Sequence, residues 1–164
     1  MKTAHSIRPL TPEDEPILWE MLMYAAHESS LETVKANPEL ARYVEGFGRN
    51  GDVGVVVENT QQPLGAAWVR LWSGEEKGYG YVSDEIPELA IAVHPNYRTQ
   101  GIGTQLLNSL LNHAKSHFPA ISLSIRADNP ALRLYERTGF IPISGSEIMN
   151  REGGQSFNMI ARFT

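Results

Sequence analysis

Cysteine is absent from all 164 residues, which excludes disulfides, thiolate metal ligands and any mechanism through a cysteinyl acyl-enzyme. Long apolar runs are missing too. None approaches the roughly 18 to 20 residues that a bilayer-spanning helix needs, and residues 1–10 lack the apolar centre of a secretory signal. Positive charge is not in excess: 14 Lys and Arg stand against 19 Asp and Glu, a formal net charge of -5. The overall field therefore does not attract nucleic acid or an anionic membrane, although one basic pocket remains allowed. No internal repeat, low-complexity tract or linker divides the chain. These absences predict a cytoplasmic protein that binds neither nucleic acid nor membrane. Its length predicts one domain over residues 1–164, because a second would have too little core of its own.

Periodicity predicts a mixed α+β order. His5 to Pro9 reads as a short strand. Thr11, Pro12 and Asp14 then supply an N-cap, a proline at the first helical position and an acid at N3. Ile17, Leu18, Met21, Leu22 and Ala25 follow at helical spacing. Asn37 and Pro38 predict a second helix running to about Phe47. Val53 to Glu58 and Leu64 to Trp72 read as a hairpin around a turn at Asn59 to Pro63. Glu88 to Val93 is a strand, and Ile102, Leu106, Leu107, Leu110, Leu111 and Ala114 stripe a helix that begins near Gln100. Ile121 to Ile125 alternates as a half-buried strand. A helix capped by Asn129 with Pro130 at N1, then strands over Phe140 to Ile143 and Gln155 to Phe163, complete the order.

The stretch Leu89 to Leu107, LAIAVHPNYRTQGIGTQLL, carries the most chemistry. A strand feeding a glycine-containing turn and then a helix start forms an anion site. The first helical amides are unpaired and the helix dipole favours negative charge there. Gly101 and Gly103 let backbone close on a phosphate, and Arg98 adds a fixed cation with several donors. A dinucleotide fingerprint would need a third glycine where Leu106 stands and an acid where Ile121 stands. A Walker loop would need a Gly-Lys pair, which the chain lacks.

Arg98-x-x-Gly101-x-Gly103 after this strand resembles the coenzyme A pyrophosphate motif of the GNAT N-acetyltransferase superfamily. Asn129-Pro130-Ala131, then Tyr135, then Gly139-Phe140 is similar to a second landmark of that family. Ile7 to Asp14 is also similar to GNAT beginnings, though less specific. The resemblance implies the GNAT acyl-CoA N-acyltransferase fold: a central, mostly antiparallel sheet of six to seven strands with helices on both faces. It implies acetyl-CoA as co-substrate, held by Ile91, Ala92, Val93, Arg98, Thr99, Gln100, Gly101, Ile102, Gly103, Thr104, Asn129 and Tyr135.

In this family the strand matching 89–93 splays from its neighbour, here 121–125, and pantetheine enters the gap. Alternation puts Leu89, Ile91 and Val93 on one face and Glu88, Ala90 and Ala92 on the other, unless a β-bulge shifts the register. The resemblance implies direct attack of an amine on the thioester. A backbone N–H near Ala92 or Val93 is then expected for the oxyanion and Tyr135 as the acid, since a phenol near pKa 10 is protonated at neutral pH. Glu88 is the expected base, with Asp84, Glu85, Glu28 and His27 as rivals.

Tyr24, Glu28, Trp68, Arg70 and Tyr81 are expected to line the acceptor pocket. His113 and His117 have the i, i+4 spacing of a metal pair, but no carboxylate lies near them in sequence and no metal is predicted. The acceptor is read as a small amine or amino-acid derivative, with a protein N-terminus or lysine as the alternative. A non-catalytic acyl-CoA sensor is the reading from another class. The resemblance also allows a homodimer.

Overall fold

The computed structural model describes residues 5–149 and 153–163. Its strands are β1 (His5–Pro9), β2 (Val53–Asn59), β3 (Pro63–Arg70), β4 (Glu88–Val93), β5 (Ala120–Arg126), β6 (Ile141–Pro142), β7 (Ile148–Met149) and β8 (Gln155–Arg162). The helices are α1 (Glu15–Ala25), α2 (Leu31–Ala36), α3 (Pro38–Ala41), α4 (Ile102–Ala114) and α5 (Leu132–Arg137). All eight strands form one sheet in the order β1-β2-β3-β4-β5-β8-β6, with β7 beside β6 on the same edge of β8. Every pairing is antiparallel except β4 with β5. The sheet has eight strands rather than six to seven because β7, only two residues long, is too short to leave a periodic signal.

Each face of the sheet carries its own core. α4 buries Ile102, Leu106, Leu107, Leu110 and Ala114 against Val55, Val57, Ala67, Val69 and Leu89. Each large side chain buried there contributes about 1.5–3 kcal/mol. On the other face α1 sets Leu18, Met21 and Leu22 against Val56, Ala66, Trp68 and Ala92. The β3–β4 register runs without a shift from Gly65 opposite Val93 to Arg70 opposite Glu88. The two-residue alternation therefore holds along β4, and the irregularity falls elsewhere, between Val57 and Glu58 of β2.

Two predicted helices differ from those observed. The helix expected from Asn37 to about Phe47 is regular only over Pro38–Ala41, and α2 precedes it, with Ser30 capping the Thr33 amide at 3.1 Å. Asn37 is extended ahead of Pro38, as a residue before proline prefers, and this separates α2 from α3. Beyond Ala41 the carbonyls of Arg42, Tyr43 and Glu45 are taken by side chains of β3, so they cannot continue a helical ladder. In the other case, Asn129 accepts from the Ala131 amide at 2.8 Å, but that turn precedes the regular helix, which starts at Leu132.

Candidate acetyl-transfer site

β4 and β5 share a single bridge, Glu88 opposite Ser122, anchored by the Ser122 amide donating to the Pro87 carbonyl at 3.0 Å. Beyond it the ladder stops. The His94 amide donates to Leu64 at 2.7 Å, which fixes the phase of the β3–β4 pairing. Antiparallel bonding alternates, so Glu88, Ala90 and Ala92 exchange bonds with β3. The peptide groups of Ile91 and Val93 turn toward β5 and find no ladder partner. The Ala92 amide is committed to β3, which removes it as an oxyanion donor.

A cleft of about 270 Å³ occupies this gap and passes through the sheet. Leu22, Ala25, Ala26, His27, Glu39, Leu40, Tyr43, Tyr79 and Glu88 line it on the α1 side. Asn129 and Tyr135 line it from the α5 side, with Ala90, Ile91, Leu123, Ser124 and Ile125 between.

At the start of α4 the amides of Ile102, Gly103 and Thr104 lie in the first turn, where no intrahelical acceptor exists, and no side chain caps them. The first helical bond is from Gln105 to the Gly101 carbonyl. The chain reaches this turn through two left-handed residues, Thr99 at φ 65° and Gly101 at φ 80°. Gly101 is required by that conformation, which a side chain would strain. Arg98, Thr99, Gln100 and Thr104 are exposed, while Ile102 is buried and offers only its amide. Gly103 lets α4 pack on α5, since a Cβ there would stand 3.2 Å from Leu134 Cδ2. Exposed cation, bare amides and glycine turn together suit a diphosphate.

Glu88 is almost wholly buried, on the α1 face where the two strands part. Oε2 accepts from the Tyr43 hydroxyl at 2.6 Å and Oε1 from Trp72 Nε1 at 2.9 Å, and the Gly80 amide donates as well. Desolvation outweighs these donors and pushes the carboxyl up to about 7. An ionised carboxylate has about four acceptor positions, so three donors leave one for a further proton. Among the rival bases, Asp84 and Glu85 are exposed outside the cleft, with Asp84 accepting from the Tyr81 hydroxyl. Tyr135 is buried, and desolvation alone raises its pKa, so the phenol stays protonated at neutral pH. Its hydroxyl has no hydrogen-bond partner among the described residues, yet it is not sealed from the cleft.

None of the five expected acceptor residues lines the cleft. Trp68 is fully buried with Nε1 donating to the Tyr43 carbonyl, and Arg70 is buried in a pair with Asp52, Nε to Oδ1 at 3.0 Å. The Tyr24 hydroxyl donates to Glu20, and the Tyr81 hydroxyl to Asp84. Glu28 sits beyond the end of α1, its amide bonded to the Met23 carbonyl. The α1-side wall is instead built by Leu22, His27, Glu39, Leu40, Tyr43 and Tyr79, residues whose spacing carries no signal of shared position. His113 and His117 are exposed, and among the described residues no group of three or more His, Asp or Glu could hold a metal. No described helix is long and apolar enough to cross a membrane.

A bare-amide turn stands at the start of α4, and a carboxylate and a phenol lie on opposite faces of the split between the parallel strands. The sequence matches the acetyltransferase (GNAT) family over residues 7–140, and the chain belongs to that family. Its fold is similar to the ribosomal-protein-alanine N-acetyltransferase of Brucella melitensis, with a TM-score of 0.71 and 21% identity over 96% of this chain and 99% of that one. It is also similar to the putative acetyltransferase yncA of Salmonella typhimurium, solved with its cofactor acetyl-CoA, with a TM-score of 0.70 and 20% identity over 98% and 95% of the chains. A third structure, the spermidine/spermine N-acetyltransferase SpeG of Vibrio cholerae, gives a TM-score of 0.63 and 20% identity over 96% and 92%. No curated protein matches by sequence. At these identities the likeness is one of fold.

Proposed function

We propose that the chain is a single-domain N-acetyltransferase that moves the acetyl group of acetyl-CoA to a primary amine in a ternary complex. The observation that carries this is the cleft that opens one parallel strand pair and joins Glu88 on one face to Tyr135 on the other. Bound acetyl-CoA supplies a thioester whose C–S bond is replaced by an amide C–N bond, releasing free thiol.

The residues divide the work. Arg98 and the amides at the start of α4 hold the diphosphate, and Asn129 borders the cleft between β4 and β5. The Ile91 N–H, without a ladder partner and lining the cleft, donates to the thioester oxygen as it gains charge. Leu89 also turns its amide toward β5 but within the bridge to Ser122, and Val93 lies further from Glu88 and does not line the cleft. Glu88, with a carboxyl near 7, takes the proton of the attacking amine directly or through water. Tyr135 donates its proton to the leaving sulfur.

The acceptor is a small amine or an amino-acid derivative. The α1-side wall is built from helix and turn side chains, and the net charge of -5 offers no general attraction to acidic acceptors.

Thiol release from acetyl-CoA should rise on adding an amine from a panel of small amines and N-terminal peptides. Tyr135→Phe should lower kcat about 100-fold while leaving acetyl-CoA affinity intact. Acetyl-CoA binding without amine-dependent thiol release across the panel would favour a sensor, and no affinity at all would overturn the site.

A further inference from the structure

Glu88 is held from behind by a framework that the transfer steps do not use. Trp68 Nε1 donates to the Tyr43 carbonyl at 2.8 Å, and Arg70 Nη1 donates to the carbonyls of Arg42 and Glu45, each at 2.8 Å. Arg70 is itself fixed by Asp52, through Nε at 3.0 Å and Nη2 at 3.1 Å. Three bonds from buried β3 side chains therefore bracket Tyr43 within a turn that is not a regular helix. Its ring lies edge-on to Trp72 at 5.3 Å and stacks on Tyr79 at 6.5 Å.

The hydroxyl is equally constrained. It accepts from the Tyr79 amide at 2.8 Å and has one proton to give, which goes to Glu88 Oε2. The chain makes room for this bond: a Cβ at Gly78 would meet Glu88 Oε1, the Tyr43 hydroxyl and Trp72 Nε1 together.

We propose that Tyr43 is a positioning residue for the acetyl transfer, orienting the Glu88 carboxylate and favouring its ionised form through a hydrogen bond of fixed polarity. This rests on Glu88 being the base. The other charged or titratable groups near the carboxylate are few. Arg42 favours the ionised form, and Arg70 opposite it on β3 is paired with Asp52. His27 and Glu39 lie on the cleft wall with the Tyr79 ring, and Arg126 lines the cleft from β5. Ser122, on the adjacent strand, spends its hydroxyl on the Gly80 carbonyl.

The test is the pH dependence of kcat/KM. Activity is lost at low pH when the base is protonated, so removing a donor to the carboxylate must move that limb upward. Tyr43→Phe should raise it by about one pH unit without changing acetyl-CoA affinity. Fluorotyrosine placed at position 43 is a stronger donor and should move the limb downward, which decides the matter if Tyr43→Phe does not fold. Glu88→Gln separates the two claims. If it keeps both rate and limb, the base assignment fails and the role of Tyr43 with it. If it abolishes the limb while neither change at Tyr43 moves it, only the positioning role fails.

Discussion

Burying Glu88 makes its ionisation a cost to the fold, and that cost can be measured. The carboxyl titrates near 4.5 in the unfolded chain and at about 7 in the folded one. Between those values the folded protein keeps a proton that the unfolded chain has released, so stability falls as pH rises. The protonated form's advantage is complete below about 4.5 and gone above about 7. Each pH unit is worth about 1.4 kcal/mol, so Glu88 should remove about 3 kcal/mol across this window. Asp14 acts in the opposite sense: Arg8 bonds its carboxylate at 2.9 Å and lowers its pKa. Its contribution is present above its ordinary value near 3.8 and lost as pH falls, outside the window of Glu88. Urea unfolding of the wild type and Glu88→Gln should be compared from about pH 4.5 to about pH 8. The wild type should lose about 3 kcal/mol relative to the variant over that range. A difference that stays flat would show that the carboxyl is not desolvated as its surroundings indicate, and the argument for a base near neutrality would go with it.

Arg98→Glu places a negative charge beside the bare amides of α4 and should weaken coenzyme A binding at least about tenfold by calorimetry. Unchanged affinity would refute the diphosphate role. Asp52→Ala leaves Arg70 buried without its carboxylate and should cost about 3–5 kcal/mol in chemical denaturation. A loss below about 1 kcal/mol would mean that the pair is not what holds the Tyr43 turn.

The candidate anion turn was legible in the sequence because the chemistry it suits restricts residue type at each position. A diphosphate at a helix start needs backbone close to the ligand, hence Gly101 and Gly103, and it needs a cation, hence Arg98. Glu88 and Tyr135 were candidates through the family resemblance rather than through spacing, and the structure brings them to opposite sides of one cleft. The face assignment along β4 followed from alternation alone. Alternation could not say which amide the gap would expose in reach of the thioester. That depends on where the parallel ladder stops, a tertiary fact set by the single Glu88–Ser122 bridge.

The acceptor wall failed for a different reason, and the failure is informative about what the missing residues do. Trp68 and Arg70 do lie on the α1 face, as their spacing requires, but spacing does not say whether that face is open or roofed. The turn at Arg42–Phe47 roofs it, a stretch that reads in sequence as the end of a regular helix but whose backbone forms successive turns, such as Val44 to Ala41 and Phe47 to Val44. Its carbonyls are satisfied by the two side chains that sequence alone assigned to substrate. A buried arginine with a buried carboxylate partner is an expensive way to hold two peptide groups, since apolar residues of similar volume often stabilise at least as well. What apolar residues could not do is bind the carbonyls on either side of Tyr43 and so fix the phenol between them. The pair therefore makes sense as a device for placing Tyr43 against Glu88, with Gly78 left bare so that the bond can form.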